Sequence, residues 1–526
     1  MAGRKAHAIG VALLLALTTA CGSTVQLKST QTLGGGTGST TGGTGDGLGQ
    51  PLGGTTGGTS GGSTGLGTAG TTGGGSTGSG TSGSAGGTTG GTTGIGTTGG
   101  GSFGKNAPGV TDTKVYVGFV YDKNAGKVNE AAGVGSISSG DSRANTNAII
   151  KDINAHGGLG GRKLEPVWGN FDSTSAQTLD QQFASLCQTF TVDNHVFAVD
   201  GAGNASYKQC MSKAGVLMLS SDLPTEGAQE LRSWPAVIEQ GYPNMDRLAS
   251  FFVQPLIAQK YFTPWDSVNG QPAAAGAIKV GILTYDNNVF KRAVDTLLVP
   301  ALKRLGYDPI VERIAPLTRA ADISSQAAAV KSAQLTFAAN GVTHVIPFES
   351  NGGLSTLFMP TARSQKYYPR YGVFTGSAAE ALVESGAIDP AQYNGAVGFG
   401  WMPSVDLPTA MNPPNSAYSN ANRRYCLNVM KGAGITFTSG NAEGIALNTC
   451  AGLYLLKAAL DKKPVPVTLG ATVGIIESLG TSYQKAGGLG QEFVPGRNDP
   501  LNKVFYWKFF TDCSCLHYYG SKVTIP

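Results

Sequence analysis

The sequence has little of what marks an enzyme or a nucleic-acid binder. Charged residues are only 13% of it, with 38 basic against 33 acidic side chains. The basic ones form no stripe or block, which argues against a nucleic-acid partner. Five histidines are scattered without ligand spacing and no Cys-x-x-Cys occurs, so neither a metal site nor a cofactor is expected. There is no Walker-type loop, no nucleophile elbow in the body of the chain and no pair of carboxylates on an identifiable scaffold, which leaves a secreted enzyme as the weaker reading. Beyond the first residues, no apolar run approaches membrane-spanning length.

What is present begins with an export leader. Arg4 and Lys5 precede an apolar run from Ala8 to Leu17, and small residues lead into Cys21. Leu17-Thr18-Thr19-Ala20-Cys21 resembles a lipobox, with the leucine one position further from the cysteine than usual. Residues 1–21 are therefore expected to be a lipoprotein signal and Cys21 the acylated anchor, holding an exported protein at the cell membrane, facing the periplasm or cell exterior. From Gly34 to Gly104 the chain is almost entirely Gly, Thr and Ser. Such a segment buries too little surface to offset its ordering entropy, so 22–109 is expected to be a flexible tether. Its roughly 70 residues of low complexity would span on the order of 45 Å. Within it, Gly61-Gly62-Ser63-Thr64-Gly65 and Gly74-Gly75-Ser76-Thr77-Gly78 match the nucleophile-elbow pattern by chance, since neither lies on a strand-turn-helix.

Of the seven cysteines, setting Cys21 aside leaves Cys187, Cys210, Cys426, Cys450, Cys513 and Cys515. An even number in an exported chain reads as disulfides, although six cysteines allow many pairings. Proximity favours Cys187 with Cys210 and Cys426 with Cys450. Cys513 and Cys515 are then left to each other in a very tight loop. A zinc site or a redox pair is the minor alternative.

From residue 110 onward, strands and helices alternate. Strands are expected at Lys114 to Val120, Lys163 to Trp168, His195 to Asp200 and Val216 to Ser220, with helices at Arg143 to Ala155, Thr178 to Thr191 and Ala205 to Ala214. A helix from Tyr242 to Tyr261 precedes a second series. Its strands are Ala277 to Thr284, Ile310 to Ile314, Thr343 to Pro347 and Tyr371 to Thr375, and its helices Asn288 to Leu305, Ile323 to Ala339 and Gly353 to Gln365. Helices at Ala417 to Lys431, Asn441 to Leu460 and Thr468 to Leu479 and a strand at Lys503 to Phe510 close the chain. This is an α/β protein with two doubly wound parallel sheets.

Ile153-Asn154-Ala155-His156-Gly157-Gly158-Leu159-Gly160-Gly161-Arg162-Lys163-Leu164 and Asn170-Phe171-Asp172 resemble segments of the type I periplasmic binding proteins related to the leucine/isoleucine/valine receptor. Gly215 to Ser220, Tyr285-Asp286-Asn287 and Val373-Phe374-Thr375-Gly376 follow in that family's order. The resemblance spans about 110 to 526. It implies two lobes joined by three crossovers, near Gln240, Gly398 and Asn502, with lobe 1 formed by 110–240 and 399–501 and lobe 2 by 241–398 and 502–526. It also implies a first-lobe disulfide, for which Cys187 and Cys210 are suitably placed. The implied role is capture of a small solute (an amino acid, an amide or a related compound) by a monomer that delivers it to an ABC permease and ATPase. A sensor domain is the alternative use of the same lobes, and gene neighbourhood separates the two.

In parallel sheets, ligands meet the loops at the carboxyl ends of the strands. The candidates are Tyr121, Asp122, Gly203, Asn204, Ser220, Ser221 and Asp222 in the first lobe and Asn287, Phe290, Glu349, Ser350 and Ser377 in the second. Each has a plainer reading. Gly201-Ala202-Gly203 lacks the third glycine of a dinucleotide loop, Ser206 standing there, and reads as a tight turn before a helix whose N-terminus offers N–H groups to an anion. Ser220, Ser221 and Asp222 could form a turn or cap, Phe290 could be core, and Glu349 a solvated loop charge. By the resemblance, a Ser/Thr-rich loop is replaced by Gly203-Asn204-Ala205 and an acidic group by Ser377. The ligand is then expected to carry fewer charges than a branched-chain amino acid, or a differently placed amine.

Overall fold

A computed structural model of the chain describes residues 105–122, 124–125, 140–221 and 225–526. The leader, Cys21, nearly all of the tether and Asp222 lie outside the described residues.

The first sheet takes five parallel strands in the order β2-β1-β3-β4-β5: β1 Lys114–Asp122, β2 Lys163–Phe171, β3 Ala198–Gly201, β4 Leu217–Ser220 and β5 Val237–Glu239. Alternation of side chains along these strands supplies two buried faces. Val115, Val117 and Phe119 face helices Ser142–Ala155, Ala421–Gly432 and Gly440–Leu460, while Val120 and Val199 face Leu179–Gln188 and Ala205–Lys213. Helices from the distant C-terminal third thus cover the first sheet.

A small hairpin, β6 Trp265–Asp266 and β7 Gln271–Pro272, precedes the second sheet. That sheet holds β8 Val280–Tyr285, β9 Ile310–Ile314, β10 His344–Phe348, β11 Arg370–Phe374, β12 Val397–Gly400, β13 Lys503–Phe510 and β14 Cys515–Thr524, ordered β14-β13-β12-β11-β10-β8-β9. β8 to β12 are parallel, and β13 and β14 run antiparallel. The second sheet is therefore mixed, not wholly parallel as expected, because a hairpin needs only a short turn where a parallel strand needs a crossover. Helices Ile323–Ala339 and Gly353–Ser364 cover one face; Met245–Phe251, Val253–Ala258 and the segment from Asn288 to Arg304 cover the other.

The helix expected over Tyr242 to Tyr261 breaks at Phe252 and restarts at Val253. Pro255 then sits in a first turn, where its missing N–H is not needed. Pro300 has a similar effect on the Asn288 to Leu305 expectation, which is interrupted by a π-helical stretch Val294–Leu298. The crossing expected near Gly398 lies further on, since Val397–Gly400 still pairs within the second sheet. Gly398 permits that pairing: a Cβ there would stand 1.7 Å from the Val373 carbonyl oxygen. The first and third crossings are tied together, with Asp499 accepting from the Asn244 N–H (2.8 Å) and from Arg247 Nη1 (2.7 Å).

Among the described residues three disulfides form, Cys187–Cys210, Cys426–Cys450 and Cys513–Cys515.

Candidate ligand site

The loops at the carboxyl ends of the two sheets meet directly. The Leu179 N–H, just past β2, donates to the Thr318 carbonyl past β9 (3.0 Å). Arg292, in the helix after β8, pairs with Glu230, in the helix after β4, through Nη1 and Oε1 at 2.9 Å and a second Nη2–Oε2 contact. Past β12, Thr409 Oγ1 accepts the Gly440 N–H at the start of the long helix (3.1 Å). Strand-end loops of one lobe therefore face those of the other.

On the first lobe's side, Tyr121 is half-buried beside Trp168, and the Arg143 guanidinium lies 5.5 Å from the Tyr121 ring and 4.8 Å from the Trp168 ring. Asp122 accepts from the N–H groups of Asn124 (3.0 Å) and Ser173 (3.3 Å), and burial still pushes its carboxyl up from the usual range. Gly203 fits against Tyr207, whose ring a Cβ would meet at 2.2 Å. Asn204 caps Ala205–Lys213, accepting from the Tyr207 N–H (3.0 Å), and donates to Asp180 (2.7 Å). Ser220 and Ser221 are buried at the end of β4, and Ser220 Oγ meets no hydrogen-bond partner among the described residues.

On the second side, Asn287 caps Asn288–Ala293 by accepting from the Phe290 N–H (3.0 Å). Phe290 is buried, edge-on to Tyr285 and Phe348. Glu349 is also buried, not a solvated loop charge. Its carboxyl accepts from the Leu354 N–H (2.6 Å), the Ser355 N–H (3.2 Å) and the Ser355 hydroxyl, at the start of Gly353–Ser364. Burial outweighs those bonds and raises it to about 8. Ser350 is buried and its Oγ has no hydrogen-bond partner among the described residues, as is the case for Thr284 Oγ1 at the end of β8. Ser377 is buried beneath β11, its Oγ 3.4 Å from the Phe374 N–H.

The candidates thus fall into two groups. Tyr121, Ser220, Ser221 and Ser350 offer a ring or hydroxyls at the strand ends. Asn204, Asn287, Phe290, Glu349 and Ser377 hold loop backbones or core, and Asp122 stands at a strand end while also holding the Asn124 and Ser173 N–H groups. The sequence reading missed Arg292 and Glu230, which are 62 residues apart, and Arg143. It also missed Gly440 and Gly444, where a Cβ would come within 2.5 Å and 2.8 Å of Ser404 atoms. Their i, i+4 spacing on one helix was a legible sign of close approach. Among the described residues no cluster of His, Cys, Asp and Glu could hold a metal ion, and no helix is long and apolar enough to cross a membrane.

A family model described as periplasmic binding protein matches residues 114–428. A search of curated proteins finds no match. Among solved structures, a fatty acid ABC transporter substrate-binding protein from Thermomonospora curvata is similar at 18% identity with a TM-score of 0.53, over 80% of this chain and 93% of that one. A branched-chain amino acid transporter substrate-binding protein from Streptococcus pneumoniae, in complex with isoleucine, gives 13% and 0.51, over 78% and 100%. A solute-binding protein of an ABC transporter from Rhodopseudomonas palustris HaA2, in complex with p-hydroxybenzoic acid, gives 12% and 0.52, over 78% and 97%. At these identities the likeness is one of fold.

Proposed function

Because this chain belongs to the periplasmic binding protein family, we propose that it captures a small solute between its two lobes outside the cytoplasm and delivers it to an ABC importer, without catalysing a reaction on it. The observation that carries this reading is the meeting of strand-end loops from both sheets, at Leu179 with Thr318 and Glu230 with Arg292. A ligand that touches both lobes favours the closed arrangement by its differential affinity.

In this reading lobe 1 comprises the first sheet with the C-terminal helices, and lobe 2 the second sheet. Cys21 carries the lipid anchor, the Gly/Thr/Ser segment is the tether, and the protein acts as a monomer. Tyr121, Asp122, Ser220, Ser221, Asp222 and Ser350 contact the solute, and the Gly203-Asn204 turn presents backbone N–H groups to it.

The compounds named for these relatives, a fatty acid, isoleucine and p-hydroxybenzoic acid, share a carboxyl group on an apolar body. Here the apolar body would lie against Tyr121 and Trp168, with Arg143 alongside. The second lobe offers Ser350 and Thr284 hydroxyls and a Glu349 already engaged by its own helix. That arrangement favours a solute without an α-ammonium group over a branched-chain amino acid. Melting-temperature shifts across amino acids, amides, aromatic acids, fatty acids and sugars test this. Stabilisation by aromatic or aliphatic acids is expected; stabilisation by leucine or isoleucine alone would overturn the ligand class, and turnover of any compound would overturn the non-enzymatic role.

A further inference from the structure

The three disulfides among the described residues differ in surroundings. Cys426 and Cys450 are buried between two helices, and Cys187 is buried with Cys210 half-exposed. Cys513 is exposed, as are its neighbours Thr511, Asp512 and Ser514 in the turn between β13 and β14, while Cys515 lies buried at the start of β14.

Their contributions to the fold differ as well. The first two bridges close loops with sequence separations of 23 and 24, whereas Cys513 and Cys515 are separated by 2. A cross-link stabilises chiefly by removing loop entropy from the unfolded chain, and that gain shrinks with the loop. The hairpin is also registered without it. Phe510 pairs with Cys515 and Phe509 with Leu516, the Phe510 and His517 rings stack at 3.6 Å, and the Leu516 N–H donates to Glu380 (2.6 Å). Ser514, the one residue inside the ring, is held at φ +52°, a left-handed conformation uncommon for serine. Opening the ring frees that residue and leaves the ladder in place.

We propose that Cys513–Cys515 is a reversible thiol–disulfide exchange site that accepts two electrons from a dithiol. The dithiol's thiolate attacks the exposed Cys513 Sγ. A new S–S bond forms to the reductant, the Cys513–Cys515 bond breaks, and Cys515 leaves as a thiolate that takes up a proton. The reductant's second thiolate then attacks its own sulfur in the mixed disulfide, releasing Cys513 as a thiol. The dithiol ends as a disulfide and the cysteine pair as two thiols, so electrons and protons balance. A dithiol disulfide reverses the sequence.

The test treats the folded full-length protein with dithiothreitol, quenches it over time, alkylates with iodoacetamide and reads each cysteine by mass spectrometry. Cys513 and Cys515 should be labelled together, on the order of tenfold faster than Cys187, Cys210, Cys426 and Cys450, because exchange rate follows access. The melting temperature of the selectively opened protein should stay within about 2 °C of the starting value, as for a change away from the core. Restored oxidation on removing the reductant and adding oxidised glutathione completes the expectation. Labelling at the same rate as the buried pairs, or a melting temperature that falls by more than that on opening, would make the bridge structural and overturn the proposal.

Discussion

Arg292 of the second lobe grips Glu230 of the first through both carboxylate oxygens, with Asp246 at 3.6 Å from the same guanidinium. Partial burial works against the charge on Glu230, but the Arg292 hydrogen bonds outweigh it and hold the carboxyl below its usual range. The pair is half-buried, so its contribution is on the order of 1 kcal/mol and not more.

That pair crosses from one lobe to the other. Arg292→Ala or Glu230→Gln should weaken solute binding roughly fivefold, the equivalent of about 1 kcal/mol, and leave each lobe folded. Isothermal titration calorimetry reads the affinity and circular dichroism the fold. Unchanged affinity in both variants would show that the contact is not part of closure.

Gly440 is the second handle on closure. A Cβ there would stand 2.5 Å from the Ser404 carbonyl oxygen, which is backbone and cannot swing aside. Gly440→Ala should therefore cost about 1 to 3 kcal/mol in the closed arrangement and lower solute affinity accordingly, while the unliganded melting temperature changes little. Wild-type affinity in this variant would contradict the contact.

Glu349 gives a pH dependence with a definite sign. Its folded value is about 8 against an ordinary 4.5, so the folded protein holds this proton more tightly than the unfolded chain does. The associated stability is fully present below the unfolded value and is lost as pH rises through the range up to about 8. Glu349→Gln keeps an acceptor and a donor toward Leu354 and Ser355 and removes the titration. Between pH 5 and 8, roughly the window of that shift, the wild-type melting temperature should fall relative to this variant. Parallel profiles would contradict the burial argument.

Cys426–Cys450 links two helices that cover the first sheet, and both sulfurs are buried. Replacing both cysteines with serine should cost about 3 kcal/mol by loop entropy, plus the burial of two hydroxyls. Denaturant unfolding measures it, and a loss well under 1 kcal/mol, the scale of a typical surface change, would contradict a structural role.

Strands buried on both faces were legible in the sequence, His344–Phe348 lying one residue from the expected Thr343 to Pro347; the edge strand Ile310–Ile314 and the helix Ile323–Ala339 also lie where the pattern placed them. Five strands were not. β5 has only three residues behind Trp234-Pro235, β6 and β7 have two each in a small hairpin, β12 carries Gly398 and Gly400, and β14 is an edge strand whose outer half is polar and exposed. Each lacks the β-branched run that marks a buried strand. At the site, Asn204 and Asn287 were legible as strand-end polar residues, but residue type alone does not separate a ligand contact from a helix cap. The pairing of Glu230 with Arg292 depends on how two distant helices meet, which no local pattern encodes.

Hydrogen exchange of the full chain, with and without the solute found in the melting screen, tests the central claim most directly. Two-lobed capture predicts slowed exchange at strand-end loops of both sheets, at Gly201 to Asn204 and Ser220 to Ser221 together with Asp286 to Asn287 and Ser350 to Gly352. Protection confined to one lobe, or appearing away from both sets of loops, would contradict it.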